Sequence, residues 1–304
     1  MIGTRTTHAG TARASLAYMQ QAYSRSADAS ARLSSGKRIQ RPSDDPSGVV
    51  AAMSLRSDAR AQVQFARNGD DGIGWLSVTD NALQQALNEL RGAQQSVLQA
   101  SNHGAMNAQS RQALAAEVRA ARDNLLSLAN TTYLDRPVFG GATTGSTAFE
   151  AGTDPATGAY TATYTGDSGM VQRRLDNDTQ IRVDTPGEDV FVLGGTTLFA
   201  MLDSIATNIE SNPQALAADL DSLAAAHQQV SGHLAGVGNR YQRVDSLRQA
   251  ALDNELSLKA SLSKVEDVDV PAAIMEMELA SMAYQASLGA TAKVMQPTLL
   301  DFLR

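Results

Sequence analysis

The chain carries four histidines, His8, His103, His227 and His233, and no cysteine. Histidines that hold a metal from one helix stand three or four residues apart, so that both rings share a face. His227 and His233 are six apart and the other two are isolated, so no metal centre is expected. The lack of cysteine removes disulfides, thiol nucleophiles and thiolate ligands together. Two acidic pairs, Asp44-Asp45 and Asp70-Asp71, have the charge to hold a cation. Aspartates in such settings more often cap helices and close turns, and that role is expected here. Serine, histidine and aspartate are all present, but no spacing orders them into a nucleophilic triad. The glycine-rich stretches do not follow a strand and open a helix, as a phosphate-binding loop must. Trp75 is assigned to packing. Met275, Met277, Met282 and Met295 fit a soft binding surface as well as an ordinary core, because the thioether adapts to either. No catalytic, metal or cofactor residue is expected, and the chain is not read as an enzyme.

Composition narrows the class further. The chain has 304 residues, 43% hydrophobic but only 5% aromatic, which suits helices better than the aromatic-filled core of a globular enzyme. No run reaches the ~18 apolar residues of a membrane span. The N-terminus lacks the apolar core of a secretory signal, so export would use another route. A net charge of -7 speaks against nucleic acid as the main partner. The charge is uneven. Residues 1–41 carry Arg5, Arg13, Arg25, Arg32, Lys37, Arg38 and Arg41 against Asp28 alone. From Lys264 onward, Glu266, Asp267, Asp269, Glu276, Glu278 and Asp301 outnumber Lys264, Lys293 and Arg304. The two ends are expected to face each other.

The elements that must position these residues are long helices. From Leu216 through Leu220, Leu223, His227, Val230, Leu234, Val237, Tyr241 and Val244 to Val265, seam positions alternate gaps of four and three. A stripe of period 3.5 held this long is a coiled-coil signal, and at 1.5 Å per residue it predicts a rod of roughly 75 Å. Asn212 and Pro213 are read as its N-cap and first-turn proline. Gly232, Gly236 and Gly238 are read as a bend or a close helix crossing. A weaker seam of Leu16, Met19, Tyr23 and Leu33, with Ser26 and Ser30 between, ends at Gly36, a natural helix stop. Another, with Ile274, Met277, Tyr284, Leu288, Met295 and Phe302, follows a capped restart at Asp269-Val270-Pro271. Its small members are Ser281, Thr291 and Thr298.

Between these ends, a helix from Ser47 through Phe65, a seam over Ile73–Val97 and another over Leu114–Leu128 supply two or three rods, with a loop at Asn102-His103-Gly104. From Thr131 to Thr197 glycines punctuate the chain. There Tyr160–Tyr164, Gln180–Val183 and Val190–Leu193 are strand candidates, with a turn at Pro186-Gly187. The expected fold is mainly α, a long antiparallel coiled-coil-like helical bundle built from N- and C-terminal parts, with a small β-rich insert. The expected domains are 1–45 with 264–304, 46–135 with 198–263, and 136–197. Exchanging Gly140–Gly194 for a linker is expected to leave the helical core folded with a similar melting midpoint.

Particular residues carry a resemblance. Leu33-Ser-Ser-Gly-Lys-Arg-Ile39 followed by Pro42-Ser-Asp-Asp-Pro46 resembles the signature shared by flagellins and their junction relatives. Met282-Ala-Tyr-Gln-Ala-Ser-Leu288, Ala292-Lys293 and Leu299-Leu-Asp-Phe-Leu303 are similar to the end of the junction branch of that superfamily. Arg67-Asn-Gly-Asp-Asp71, Leu128-Ala-Asn-Thr131, Phe139-Gly-Gly, Tyr164-Thr-Gly-Asp167 and Gly187-Glu-Asp-Val-Phe191 extend the likeness. Arg136-Pro137-Val138 departs from it. The resemblance implies a structural component of the bacterial flagellum, exported unfolded by the flagellar type III apparatus to the hook–filament junction. Its implied partners are copies of itself in a ring, the first hook-associated protein, flagellin, and an export chaperone at the C-terminal helix. A flagellin filament subunit is the alternative. An enzyme on the insert is the rival from another class, disfavoured because ~65 residues are near the lower limit for a self-sufficient core.

The assembly interface is assigned to Leu16, Met19, Tyr23, Leu33, Ile274, Met277, Tyr284, Leu288, Met295, Leu299, Leu300 and Phe302. Seams this poor in apolar bulk recover little of the ~1–2 kcal/mol of backbone entropy lost per ordered residue. Residues 1–41 and 264–304 are therefore expected to be mobile in the monomer and to order when copies pack together.

Overall fold

The computed structural model describes residues 8–101, 107–155 and 158–294. The chain divides into two compact units, one of residues 1–60 with 255–304 and one of residues 61–254.

The first unit holds α1 (His8–Ser35), the start of α2 (Pro46–Ser101), the end of α6 (Leu216–Glu266), and α7 (Val270–Val294). Gly36, at φ +69°, stops α1 as its type predicts, because only glycine takes that region without steric cost. Asp269 precedes α7, and its carboxylate accepts the Ala272 amide at 3.3 Å, the expected capped restart. The Asn102-His103-Gly104 loop lies outside the described residues.

In the second unit α2 continues to Ser101 without a break. Sequence reading divided this stretch into a helix from Ser47 through Phe65 and a seam from Ile73, and around the joint stand Gly69, Gly72 and Gly74, each of which weakens a helix by about 1 kcal/mol relative to alanine. The structure shows why glycine stands there. A Cβ at Gly69 would come within 2.8 Å of the Arg248 Cβ on α6, and one at Gly74 would strike the Tyr133 hydroxyl. These glycines admit close neighbours and do not end the helix. Along α6 the buried positions Leu216, Leu223, Val230, Val237, Val244 and Ala251 fall seven apart, as the period-3.5 stripe requires. Two local readings change. Pro213–Ala215 form a 3-10 turn ahead of α6, and Asn212 makes no side-chain cap bond. Gly232, Gly236 and Gly238 lie inside an unbroken helix, with nothing within 4 Å of a Cβ built on any of them. Among the described residues no crossing helix needs them small. Gly232→Ala and Gly236→Ala are each expected to stabilise this unit by about 1 kcal/mol, read as a higher urea midpoint at unchanged m-value.

The remaining helices are α3 (Ala108–Ala129) and α5 (Leu198–Ser211), which pack on each other. Helix α5 escaped the sequence reading, although Leu198, Leu202, Ile205 and Ile209 mark its buried face at helical spacing. The β-rich part is four separate two-stranded antiparallel pairs. These are β1 (Thr132–Tyr133) with β2 (Arg136–Pro137), β3 (Phe149–Thr153) with β4 (Tyr160–Tyr164), β5 (Gln172–Arg174) with β6 (Gln180–Arg182), and β7 (Val192–Leu193) with β8 (Thr196–Thr197). Val190 and Phe191 belong to the single-turn helix α4 (Gly187–Phe191), and only Val192–Leu193 of that strand candidate pair as a strand. The departing segment Arg136-Pro137-Val138 supplies β2, and Arg136 stacks its guanidinium 5.5 Å from the centre of the Trp75 ring.

An aromatic cluster joins this part to the helices. Phe139, Phe149 and Phe191 are buried together with Phe199 of α5, at ring separations of 5.1 to 5.7 Å. The Asn130 amide at the end of α3 accepts the Ala148 and Phe149 amides at 2.8 Å and donates to the Phe149 carbonyl at 2.9 Å. Arg240 of α6 reaches the Asp184 carbonyl at 2.6 Å and the Thr185 hydroxyl at 2.7 Å. Gln229 donates to the carbonyls of Asp189 and Val192 at 2.8 Å. The insert and the helices therefore share one core.

Candidate assembly interface

The loop between α1 and α2 is held by the C-terminal end of α6, all within the first unit. The Arg38 amide donates to the Glu266 carbonyl at 2.7 Å, and the Val268 amide donates to the Gly36 carbonyl at 2.9 Å. Lys37 and Asp267 form an antiparallel bridge. The Glu266 side chain is buried, with Lys37 Nζ at 2.8 Å and the Arg56 guanidinium also paired to it. The Lys37 hydrogen bond, with the Arg56 bond beside it, holds the Glu266 carboxyl below the usual glutamate range. Such a carboxylate stabilises the fold above its unfolded pKa, and that contribution is lost as pH falls through the lower folded value. The first unit is thus expected to loosen below about pH 4, the ordinary glutamate range. Glu266→Gln should remove that acid step and cost about 1–3 kcal/mol at neutral pH. Hydrogen exchange of α1 amides across pH 3 to 7 checks both.

The aspartates of the motif take the roles expected of them. Asp44 accepts the Gln40 and Arg41 amides at 3.1 and 2.9 Å, and Asp45 caps α2 through the Gly48 amide at 2.9 Å. Each carboxyl lies below its ordinary range, Asp44 chiefly through the Arg41 amide and Asp45 chiefly through the Gly48 amide. Among the described residues no group of three or more His, Cys, Asp or Glu could hold a metal.

The opposite charges at the two ends meet as expected. Arg32 pairs with Glu276 at 3.3 Å, and the Tyr23 and Tyr284 rings lie 5.5 Å apart, so α1 and α7 run antiparallel. The seam between them is shifted by one residue at half its positions. Met19, Ser26 and Leu33 of α1, and Met277, Tyr284 and Thr291 of α7, are covered wholly or in part. Their companions are Ser15, Ala22 and Ala29, and Ala273, Ala280 and Ser287, all small. The larger neighbours remain exposed: Leu16 at 44%, Tyr23 at 60%, Ile274 at 40% and Leu288 at 40%. Small side chains fill half of the seam, while Tyr23, though largely exposed, still meets Tyr284 at its edge. Met295, Leu299, Leu300 and Phe302 lie outside the described residues.

In the second unit the motifs of the resemblance converge. The Tyr164 hydroxyl donates to the Phe139 carbonyl at 3.0 Å, and the Gly187 amide donates to the same oxygen at 2.7 Å. Burial pushes the Tyr164 phenol up to about 12. Asp167 accepts the Ala142 amide at 2.6 Å and the Gly169 amide at 3.0 Å, closing the Gly140-Gly141 turn. A Cβ at Gly187 would sit 2.6 Å from the Phe149 ring. These residues build structure.

Paired terminal helices and a shared-core second unit define a flagellin-type chain. The model of the bacterial flagellin N-terminal helical region matches residues 7–137 and that of the C-terminal helical region matches 220–303, together over two thirds of the chain. The chain belongs to the flagellin family. It is similar along its length to flagellar hook-associated protein 3 of Escherichia coli, 27% identical over 282 residues that cover 84% of this chain and 86% of that one. Flagellin A of Helicobacter felis is 38% identical over 112 residues, 36% of this chain and 22% of that protein. The crystal structure of flagellar hook associated protein-3 from Legionella pneumophila superposes with a TM-score of 0.61 at 14% identity, covering 70% of this chain and 98% of that one. That likeness is one of fold.

Proposed function

We propose that this chain is a structural component of the bacterial flagellum that joins the hook to the filament and offers the layer on which flagellin assembles. The observation that carries this is collinearity: the likeness to hook-associated protein 3 runs the length of both chains, whereas the flagellin match covers a minor part of each. In this reading the protein is secreted unfolded and forms a ring of its own copies between the first hook-associated protein and flagellin. A chaperone holds the C-terminal helix before export, and no enzymatic role is assigned. The residues assigned to assembly include Leu16, Tyr23, Ile274 and Leu288, which stay largely exposed within a single copy. The outer β-rich part, 136–197, is a distinct part without a distinct core.

The chain has no cysteine, so Glu150→Cys on the exposed β3 accepts a single fluorescent maleimide. Fluorescence confined to one spot between hook and filament is the expected result. Fluorescence along the whole filament would make the chain a flagellin, and none on flagella would end the proposal.

A further inference from the structure

Helix α7 carries a second apolar stripe beside the face it turns to α1. Ala273, Met277, Tyr284 and Thr291 lie toward α1. Met275, Leu279 and Met282 form the second stripe at helical spacing, 61%, 65% and 55% exposed, and among them Leu279 also borders a hollow of about 460 Å³ with Tyr18 and Ala22 of α1. The exposed Glu278 lies on that stripe. A helix with apolar residues all round is one that is buried all round. The first unit also carries a groove of complementary kind between α2 and α6. Two adjoining hollows, of about 300 and 440 Å³, share Met53 and Arg56. Met53 is 62% exposed, Leu262 adds apolar wall, and Arg60 adds positive charge, while Lys259 is paired with Glu255 at 2.6 Å. The lone acidic group lining these hollows, Glu266, is buried and already paired with Lys37 and Arg56.

We infer that the groove of Met53, Arg60, Lys259 and Leu262 receives the Met275–Leu279–Met282 stripe of α7 from a second copy of this chain. The inference rests on the assembly role proposed above and names which surfaces meet. Groove and stripe are different patches, so the contact is heterologous, the kind that builds rings or helical layers rather than closed pairs. Glu278 on the stripe and Arg60 in the groove are opposite in charge, which favours this register and disfavours stripe-to-stripe and groove-to-groove contacts.

The test uses two full-length versions, Met53→Cys and Leu279→Cys, coexpressed with tags of different mass and oxidised on isolated flagella. Any disulfide between them is intermolecular, and it forms only if the Cα atoms lie within ~7 Å. A dimer of unlike versions is expected to exceed both like dimers by at least tenfold. Like dimers only, or no dimer, overturns the inference. The proposed function is read separately, from whether either version reaches the hook–filament joint. Should a cysteine block incorporation, charge reversal replaces it. Arg60→Glu or Glu278→Arg alone should cut incorporation at least tenfold and the pair should regain it; failure to regain overturns the inference.

Discussion

Exchanging residues 140–194 for a short flexible linker is expected to keep most of the helical circular dichroism but to lower the melting midpoint of the second unit by 10 °C or more. The exchange removes Phe149 and Phe191, whose rings pack 5.1 and 5.7 Å from Phe199 on α5. Emptying one buried phenylalanine site costs about 3–5 kcal/mol. Each kcal/mol shifts the midpoint of a unit this size by about 2–4 °C. Gln229 and Arg240 also lose the carbonyls they bond, and Arg240 is a partly buried cation. Phe191→Ala alone should cost about 3–5 kcal/mol, which separates the shared core from effects of the linker. An unchanged midpoint would restore the sequence-based expectation that the outer part is dispensable for the helices.

Deleting residues 264–304 is expected to abolish incorporation into flagella while the second unit melts nearly unchanged. That unit ends at Asn254, and its buried positions on α6 run no further than Ala251. The deletion removes α7, the partner of α1, and it removes Glu266, leaving Lys37 and Arg56 without their shared carboxylate. Because half of the α1–α7 seam is small-sided, the pair buries little apolar surface per turn, and the ion pair of Arg32 in the last turn of α1 with Glu276 near the start of α7 is exposed and contributes only about 0–1 kcal/mol. The proposal that these helices order fully only between copies is read by hydrogen exchange on a verified monomer. Strong protection across Leu16–Leu33 and Ile274–Lys293 would sink it. A deleted chain that still incorporates would sink the assembly role of α7.

What was legible in the sequence were features whose signal is additive along the chain. The α6 stripe repeats over so many turns that single exceptions such as His227 do not disturb it. The turns at Gly36 and Asp44 and the caps at Asp45 and Asp269 are local chemistry that the sequence places correctly, whereas Asp70 and Asp71, read the same way, lie inside α2 and pair with Arg248 and Arg173. Features that depend on a neighbour from far along the chain were not legible. The reason for a glycine at 69 inside α2 is hidden until Arg248 is known to press against it. In the α1–α7 seam Leu16 stands out by bulk until the partner helix shows that its small neighbours Ser15 and Ala22 are the better covered. The motifs around Phe139, Tyr164 and Gly187 could be seen in sequence, but their meeting on one carbonyl oxygen could not.

The first unit takes its residues from 1–60 and 255–304, and so its making has an order in time. While a chain is synthesised, α1 has no partner until the residues beyond 255 exist. Bringing these ends together across a slack loop as long as residues 61–254 costs roughly 5 kcal/mol of closure entropy. Once the second unit has folded, residues 61 and 254 are tethered through a compact body and most of that closure cost has already been met. The first unit therefore inherits part of its stability from the second. A core mutation such as Phe191→Ala will slow or weaken closure at Lys37, Arg56 and Glu266, none of which it touches. The same order keeps both ends of a newly made chain open for as long as the middle is held unfolded.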